Sequence, residues 1–187
     1  MAIVDILGYH TCKTDGGWSY VKSESPFLSR SGDNQWLTQG YYFWTDSDYF
    51  AHKWGECSYD NEYAIVKCDM EIENELFLDL VGCVKSQMYF KQCLEKFRAK
   101  LKKINSTKEP TVQAVISYWR NVSKQNIGIF PFVAIKAQDR LNKHNTNTLS
   151  FIGLQEEMIV SIQRQQLCLF ECGLPLIMRK EVTYPEE

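Results

Sequence analysis

The residues with the most chemical promise lie between Gly40 and Trp54, in Gly40-Tyr41-Tyr42-Phe43-Trp44-Thr45-Asp46 and Ala51-His52-Lys53-Trp54. So many flat side chains in so short a stretch suit the gripping of a flat ring, or the start of an ordinary core. Gly40 lets the backbone pass close to a neighbour. Two further groups could do chemistry. His10 closes an apolar run, Ile3 to Tyr9, and Gln155-Glu156-Glu157 leads into Met158-Ile159-Val160. In an extended segment Gln155 and Glu157 share one face, so a carboxylate and an amide would point the same way. The plainer alternative for the Glu pair is an exposed turn. Cys12 lies beside His10, but two residues of adjacency do not make a thiol nucleophile. Walker, GxGxxG, HExxH and GxSxG patterns are missing.

The bulk composition narrows the classes. The chain has 187 residues, 44% of them apolar and 13% aromatic, enough for one domain with a real core. A net charge of -2 gives no whole-chain argument for nucleic acid or acidic lipid. Seven cysteines, an odd count with no CxxC pair, and three histidines point to reduced thiols in a cytoplasm rather than to disulfides or a metal site. The N-terminus lacks a basic signal-peptide region. No apolar run approaches the roughly 20 residues that span a bilayer, so no membrane partner is expected.

The elements that must position these groups follow from patterning. Ile3 to Tyr9 predicts a buried first strand with His10 at its end. Residues 12 to 39 read as loop, marked by Gly16-Gly17, Ser25-Pro26 and Ser31-Gly32-Asp33-Asn34. Tyr41 to Trp44 has strand propensity, and Thr45-Asp46-Ser47-Asp48 offers caps for a helix through Tyr49, Ala51 and Trp54. Glu62 to Ile72 predicts a strand, and Glu75 to Leu80 a short apolar piece. A helix capped by Ser86 runs to about Lys103, with Leu94, Phe97, Leu101 and Ile104 on one face. Its other face carries Lys91, Lys96, Arg98, Lys100, Lys102 and Lys103, either a solvated surface or a patch that touches phosphates. Thr111 caps a second helix to about Val122. Ile127 to Ile135 reads as a strand with Pro131 near its edge. Ala137 to Thr148 reads as loop, Leu149 to Ile152 and Leu167 to Glu171 as brief strands, and the tail after Pro175 is weakly patterned. Strands around a helical pair give an α+β fold: one domain over 1–187 with a helical insert at 86–124.

In combination, Tyr9-His10-Thr11, Gly40-Tyr41-Tyr42-Phe43 with Ala51-His52-Lys53-Trp54, and Glu157 ahead of a Val/Ile strand resemble the ADP-ribosyltransferase superfamily. The resemblance is to its His-Tyr-Glu branch, that of diphtheria toxin and the poly(ADP-ribose) polymerases, and to small bacterial toxin-type members. It covers essentially the whole chain, and the second motif is the most specific. It implies a split β-sandwich with flanking helices, and transfer of ADP-ribose from NAD to a macromolecule with release of nicotinamide. Glu157 would hold the nicotinamide-ribose 2'-hydroxyl and stabilise the oxocarbenium-like charge. Gln155 would orient the acceptor. Tyr42 would stack on nicotinamide, with Trp54 or Tyr49 opposite or behind. His10 would hydrogen-bond the adenosine ribose, the backbone of Thr11 would hold the carboxamide, and Gly40 opens the aromatic strand. Relatives commonly have Gly where this chain has Thr11. Glu156 is also acidic, and Glu157 is preferred because the strand begins directly after it. NAD enters as substrate, and no metal is implied. Small size and family habit suggest a cytoplasmic toxin-type effector of a toxin–antitoxin or phage-defence system, with an antitoxin protein as partner. The acceptor, protein or RNA/DNA, is undecided. An NAD glycohydrolase and a silent NAD or ADP-ribose binding module are the alternatives.

Overall fold

The computed structural model describes residues 2–30, 35–126, 128–138, 148–151, 157–160 and 163–185. The described residues form an α+β fold. The strands among the described residues are β1 (Ile3–Lys13), β2 (Tyr41–Thr45), β3 (Tyr63–Glu73), β4 (Phe77–Asp79), β5 (Ala134–Gln138), β6 (Thr148–Phe151), β7 (Glu157–Val160), β8 (Gln165–Leu169) and β9 (Ile177–Tyr184). The helices are α1 (Trp18–Glu24), α2 (Tyr49–Ser58), α3 (Val84–Lys103) and α4 (Val112–Gln125). Seven strands hydrogen-bond in the order β4-β5-β8-β2-β1-β3-β9, and β6 and β7 pair separately. Only β4 and β5 run parallel, as expected when a helical pair rather than a tight turn joins them.

One joint in this sheet matters for function. β1 and β3 pair along the whole of β1, from Ile3 opposite Glu73 to Lys13 opposite Tyr63. β1 and β2 pair only at Gly8 with Thr45 and Tyr9 with Trp44. The seven strands are therefore two sub-sheets, β4-β5-β8-β2 and β1-β3-β9, joined at a narrow seam that opens at His10.

Packing holds the two halves on either side of that seam. Val115, Ile116 and Trp119 bury the inner stripe of α4 against Leu78 and Ile135. Thr111 Oγ1 accepts from Ala114 N at 3.1 Å and caps that helix as expected. Trp119 Nε1 donates to the carbonyl of Cys93 in α3 at 3.0 Å. α2 lies over β1 and β3 with Ala51 buried, and a Cβ on Gly55 would sit 2.3 Å from the Tyr63 ring. At Gly40 a Cβ would lie 2.6 Å from both Cys168 Sγ and the Leu169 carbonyl of β8. Since the carbonyl belongs to a ladder and cannot swing aside, Gly40→Ala should lower stability by about 2 kcal/mol in denaturant unfolding. An unchanged midpoint would show that β2 and β8 can separate at no cost.

Several expectations are corrected. Residues 12 to 39 are not all loop: β1 continues to Lys13, and α1 follows Gly16 and Gly17, whose φ of 88° and 82° only glycine adopts freely. Its anchor is Val21, fully buried. The strand expected over Ile127 to Ile135 begins at Ala134 instead. Pro131 has no N–H for a ladder, and Val133 N reaches the Leu76 carbonyl as the chain enters the sheet. Ala137 and Gln138 belong to β5, and 139–147 lie outside the described residues. The weakly patterned tail is β9, an edge strand on β3 with irregular pairing on either side of the Val66–Asp69 stretch. α3 begins two residues before Ser86, with Cys83 at its N-cap. Among the described residues no helix is long and apolar enough to cross a membrane.

Candidate functional site

Where β1 and β2 part, a cleft of about 540 Å³ opens. His10, Thr11, Tyr42 and Trp54, drawn from β1, β2 and α2, all line it. These are four of the five residues that the family resemblance would assign to NAD. Gly40, the fifth, does not line the cleft but sets the β2–β8 distance behind Tyr42.

His10 takes the place of the ladder at the opening. Its Nδ1 lies 2.9 Å from the Tyr42 carbonyl, so Nδ1 carries the proton and donates. Nε2 accepts from Phe27 N at 3.1 Å. The imidazole thus bridges the sub-sheets and ties down the 25–30 segment. It is 7% exposed and packs near the rings of Phe43 and Phe27. Burial pushes its pKa down to about 4, against a smaller upward effect of the Tyr42 carbonyl. The ring is neutral at ordinary pH, and both nitrogens are engaged by backbone.

Thr11 turns its side chain away: Oγ1 donates to the Ala51 carbonyl at 3.0 Å and docks α2 on β1. Its backbone faces the other way. The Leu7 carbonyl accepts from Asp46 N across the seam at 3.2 Å. Alternation along a strand directs the backbone groups of Thr11, four residues on, to that same edge, where β2 has already diverged. A threonine is therefore compatible with a backbone contact here.

Tyr42 presents its ring to the cleft and buries its hydroxyl. The OH donates to the Thr38 carbonyl at 2.7 Å and accepts from Leu37 N at 3.0 Å. Burial raises the phenol well above its usual range, so it remains a neutral hydrogen-bonding group. The preceding segment is laced onto β2. Ser29 N donates to the Gly40 carbonyl at 3.0 Å, Gly40 N to Ser29 Oγ at 3.2 Å, and Gln35 Nε2 to Ser29 Oγ at 2.9 Å. Trp54, on α2, stands 6.2 Å from buried Trp44. Tyr49, the other aromatic considered opposite Tyr42, is 51% exposed and does not line the cleft.

The rim is charged. Lys13, Arg30 and Asp15 line it, and Lys13 Nζ sits 5.9 Å from the Tyr59 ring centroid. Cys12 also lines the cleft, but burial pushes its thiol up to about 12, which leaves it protonated and a poor nucleophile.

The sequence did not single out Tyr20, Phe27, Tyr59 or Gln166, which line the same cleft. Tyr20 and Phe27 stack at 5.4 Å and 21°. Aromatic residues inside an otherwise Gly/Ser-rich stretch were the available signal. Gln166 lies opposite Trp44 in the β2–β8 ladder, and its Oε1 accepts from Trp36 Nε1 at 2.6 Å. The polar Gln165-Gln166 pair ahead of Leu167-Cys168-Leu169 was its signal.

Glu157 is the first residue of β7, with its backbone opposite Phe151 in the β6–β7 hairpin. The strand expected directly after it begins at Glu157 itself, and the strand beside β2 is β8. Gln155 and Glu156 lie outside the described residues. A second cavity of about 540 Å³ lies between α1 and β9, beside Trp18 and Lys180. It holds none of the residues singled out for chemistry, and Lys180 Nζ is spent on the Ser23 and Ser25 carbonyls at 2.7 and 2.6 Å.

No protein-family model, curated protein or solved structure matches this chain.

Proposed function

We propose that the chain is an ADP-ribosyltransferase of the His-Tyr-Glu type, which uses NAD as its substrate and modifies a macromolecule. The observation that carries this reading is the meeting of His10, Thr11, Tyr42 and Trp54 in one aromatic cleft at the seam of the sheet. The seam also supports the split-sandwich arrangement that the resemblance implies, with β1-β3-β9 and β4-β5-β8-β2 as its halves.

Within this reading the nicotinamide ring lies on Tyr42, with Trp54 on the α2 side. The free backbone edge of Thr11 holds the carboxamide. A ribose hydroxyl takes over His10 Nε2 from Phe27 N, so the 25–30 segment yields when NAD enters. Lys13 and Arg30 on the rim offset the diphosphate charge. Glu157 accepts from the nicotinamide-ribose 2'-hydroxyl, and Gln155 orients the acceptor. The C1'–N1 bond breaks, nicotinamide leaves with the bonding pair, and the acceptor bonds to C1' and loses a proton. Stabilising the cationic sugar between those events is the protein's contribution. A toxin-type role in the cytoplasm, opposed by an antitoxin protein, belongs to the same proposal.

The test is incubation with NAD labelled on the adenylate side and a whole-cell lysate, treated in parallel with protease and nuclease. Nicotinamide release with label on a macromolecule is the expected result. Release without macromolecular label would mean a glycohydrolase, and no release would mean a silent binding module.

A further inference from the structure

We propose that the outer face of α3 binds the phosphate backbone of a nucleic acid, which makes a nucleic acid, not a protein, the macromolecule modified at the cleft. The second half of that statement rests on the transferase reading, and the first does not. α3 carries seven cations (Lys85, Lys91, Lys96, Arg98, Lys100, Lys102 and Lys103) and one carboxylate, Glu95. Its net charge is +6 in a chain of net charge -2, so the other residues carry -8. Such segregation is not required by helix formation, which is served equally well by mixed charges. All seven cations are exposed. Two have partners: Arg98 pairs with Glu109 at 2.8 Å, and Lys100 Nζ lies 4.3 Å from the Tyr118 ring centroid. Among the described residues no carboxylate lies within ion-pair distance of Lys85, Lys91, Lys96, Lys102 or Lys103.

The geometry favours a nucleic acid over the other polyanions. From Lys85 to Lys103 the helix rises about 27 Å, the length of about eight phosphates along one strand. A membrane surface would need an apolar face on the same helix. The main apolar face of α3 is turned inward, where Phe90, Leu94 and Phe97 pack with Cys93 in the helical core, and the exposed Val84 and Met88 at its start are too few to make a second one. The helical pair is also tied to the cleft. Arg120 of α4 donates to the Gln39 carbonyl at 3.0 Å, and Ser117 Oγ lies 3.0 Å from Thr38 Oγ1. Those contacts hold the loop that pins the Tyr42 hydroxyl, so a strand lying on α3 rests on the layer that borders the cleft.

The experiment is fluorescence anisotropy with labelled 30-nucleotide RNA and DNA, single-stranded and duplex, against salt. A variant carrying Lys91→Glu, Lys96→Glu, Lys102→Glu and Lys103→Glu is run in parallel. The wild type should bind, and its affinity should fall roughly 100-fold between about 50 and about 200 mM salt, as about four phosphate contacts require. The variant should bind at least about 100-fold more weakly, with a shallow salt dependence and an unchanged thermal midpoint. Lys→Gln at the same positions should fall between the two. Equal binding by wild type and variant would overturn the proposal, as would no binding at low salt. Capture by vesicles of anionic phospholipid or by an acidic protein, without nucleic-acid binding, would overturn it too. Nicotinamide release from NAD in the presence of a whole-cell lysate, measured on both proteins, separates the two claims. Absence of release from the wild type retires the transferase reading and leaves the binding result standing.

Discussion

Glu157→Gln should reduce nicotinamide release from NAD by about 10²- to 10³-fold and leave NAD affinity within about threefold of the wild type. A neutral amide keeps the size of the side chain and can still touch a ribose hydroxyl. It loses the negative charge that opposes the positive charge building on the sugar as the C1'–N1 bond lengthens. That interaction exists mainly in the transition state, so its loss appears in turnover and not in binding. Glu156→Gln is the control, because the two carboxylates are adjacent in sequence and Glu157 is the first residue of β7. If Glu156→Gln is the damaging change, the register is displaced by one residue. If neither change alters turnover, the carboxylate belongs elsewhere. The same pair of proteins tests the cellular reading. Expression of the wild type should slow host growth, and expression of Glu157→Gln should not.

The second large effect is on stability against pH. His10 is buried and neutral, with its pKa held down to about 4 by desolvation. In the unfolded chain an imidazole titrates near 6.5. The unfolded state therefore takes up the proton first as pH falls. The stability contributed by His10 is complete above about pH 6.5 and is lost progressively as pH drops through the folded value near 4. At about 1.4 kcal/mol for each pH unit of separation, the loss between pH 7 and pH 4 is about 3 kcal/mol. Carboxylates add their own dependence in the same range, so the measurement is a difference. His10→Gln offers an amide donor and acceptor to the same two backbone groups without a titrating site. Denaturant unfolding at pH 7 and pH 4 should show the wild type losing about 3 kcal/mol more than the variant. Identical pH dependence in both would mean that the buried imidazole is not held neutral by its surroundings.

The helices and the central strands could be read from the sequence wherever burial is one-sided and local. Val115, Ile116 and Trp119 fall on one stripe, and Thr111 is a capping residue followed by that stripe. Tyr41 to Trp44 is aromatic enough to declare a strand, and the close approach foreseen for Gly40 is met by Cys168 and Leu169. β9 gave no such signal, because it is an edge strand. Met178, Arg179, Lys180 and Glu181 are all exposed, and its place is set by pairing with β3, more than a hundred residues earlier in the chain. α1 is too short for periodicity to show, with Val21 its only buried side chain. At the site, His10, Thr11, Tyr42 and Trp54 were grouped through the family resemblance of their motifs, and they line one cleft. The partners of His10 were not legible: the donor to Nε2 is the backbone of Phe27, and no side-chain pattern encodes which N–H will arrive there. The run after Glu157 and the run after Gln166 are both short and apolar, and only the ladder shows that the second lies beside β2.

The most direct test of the account is to titrate the protein with NAD and follow amide, imidazole and indole signals by NMR. The account places the dinucleotide at the seam, so the signals of His10, Thr11, Tyr42 and Trp54 should move together and saturate at one affinity. The Phe27 amide should also lose its bond to the imidazole, while Trp18 and Lys180 in the second cavity stay still. Shifts confined to Trp18 and Lys180, or none at His10 and Tyr42 under saturating NAD, would contradict it.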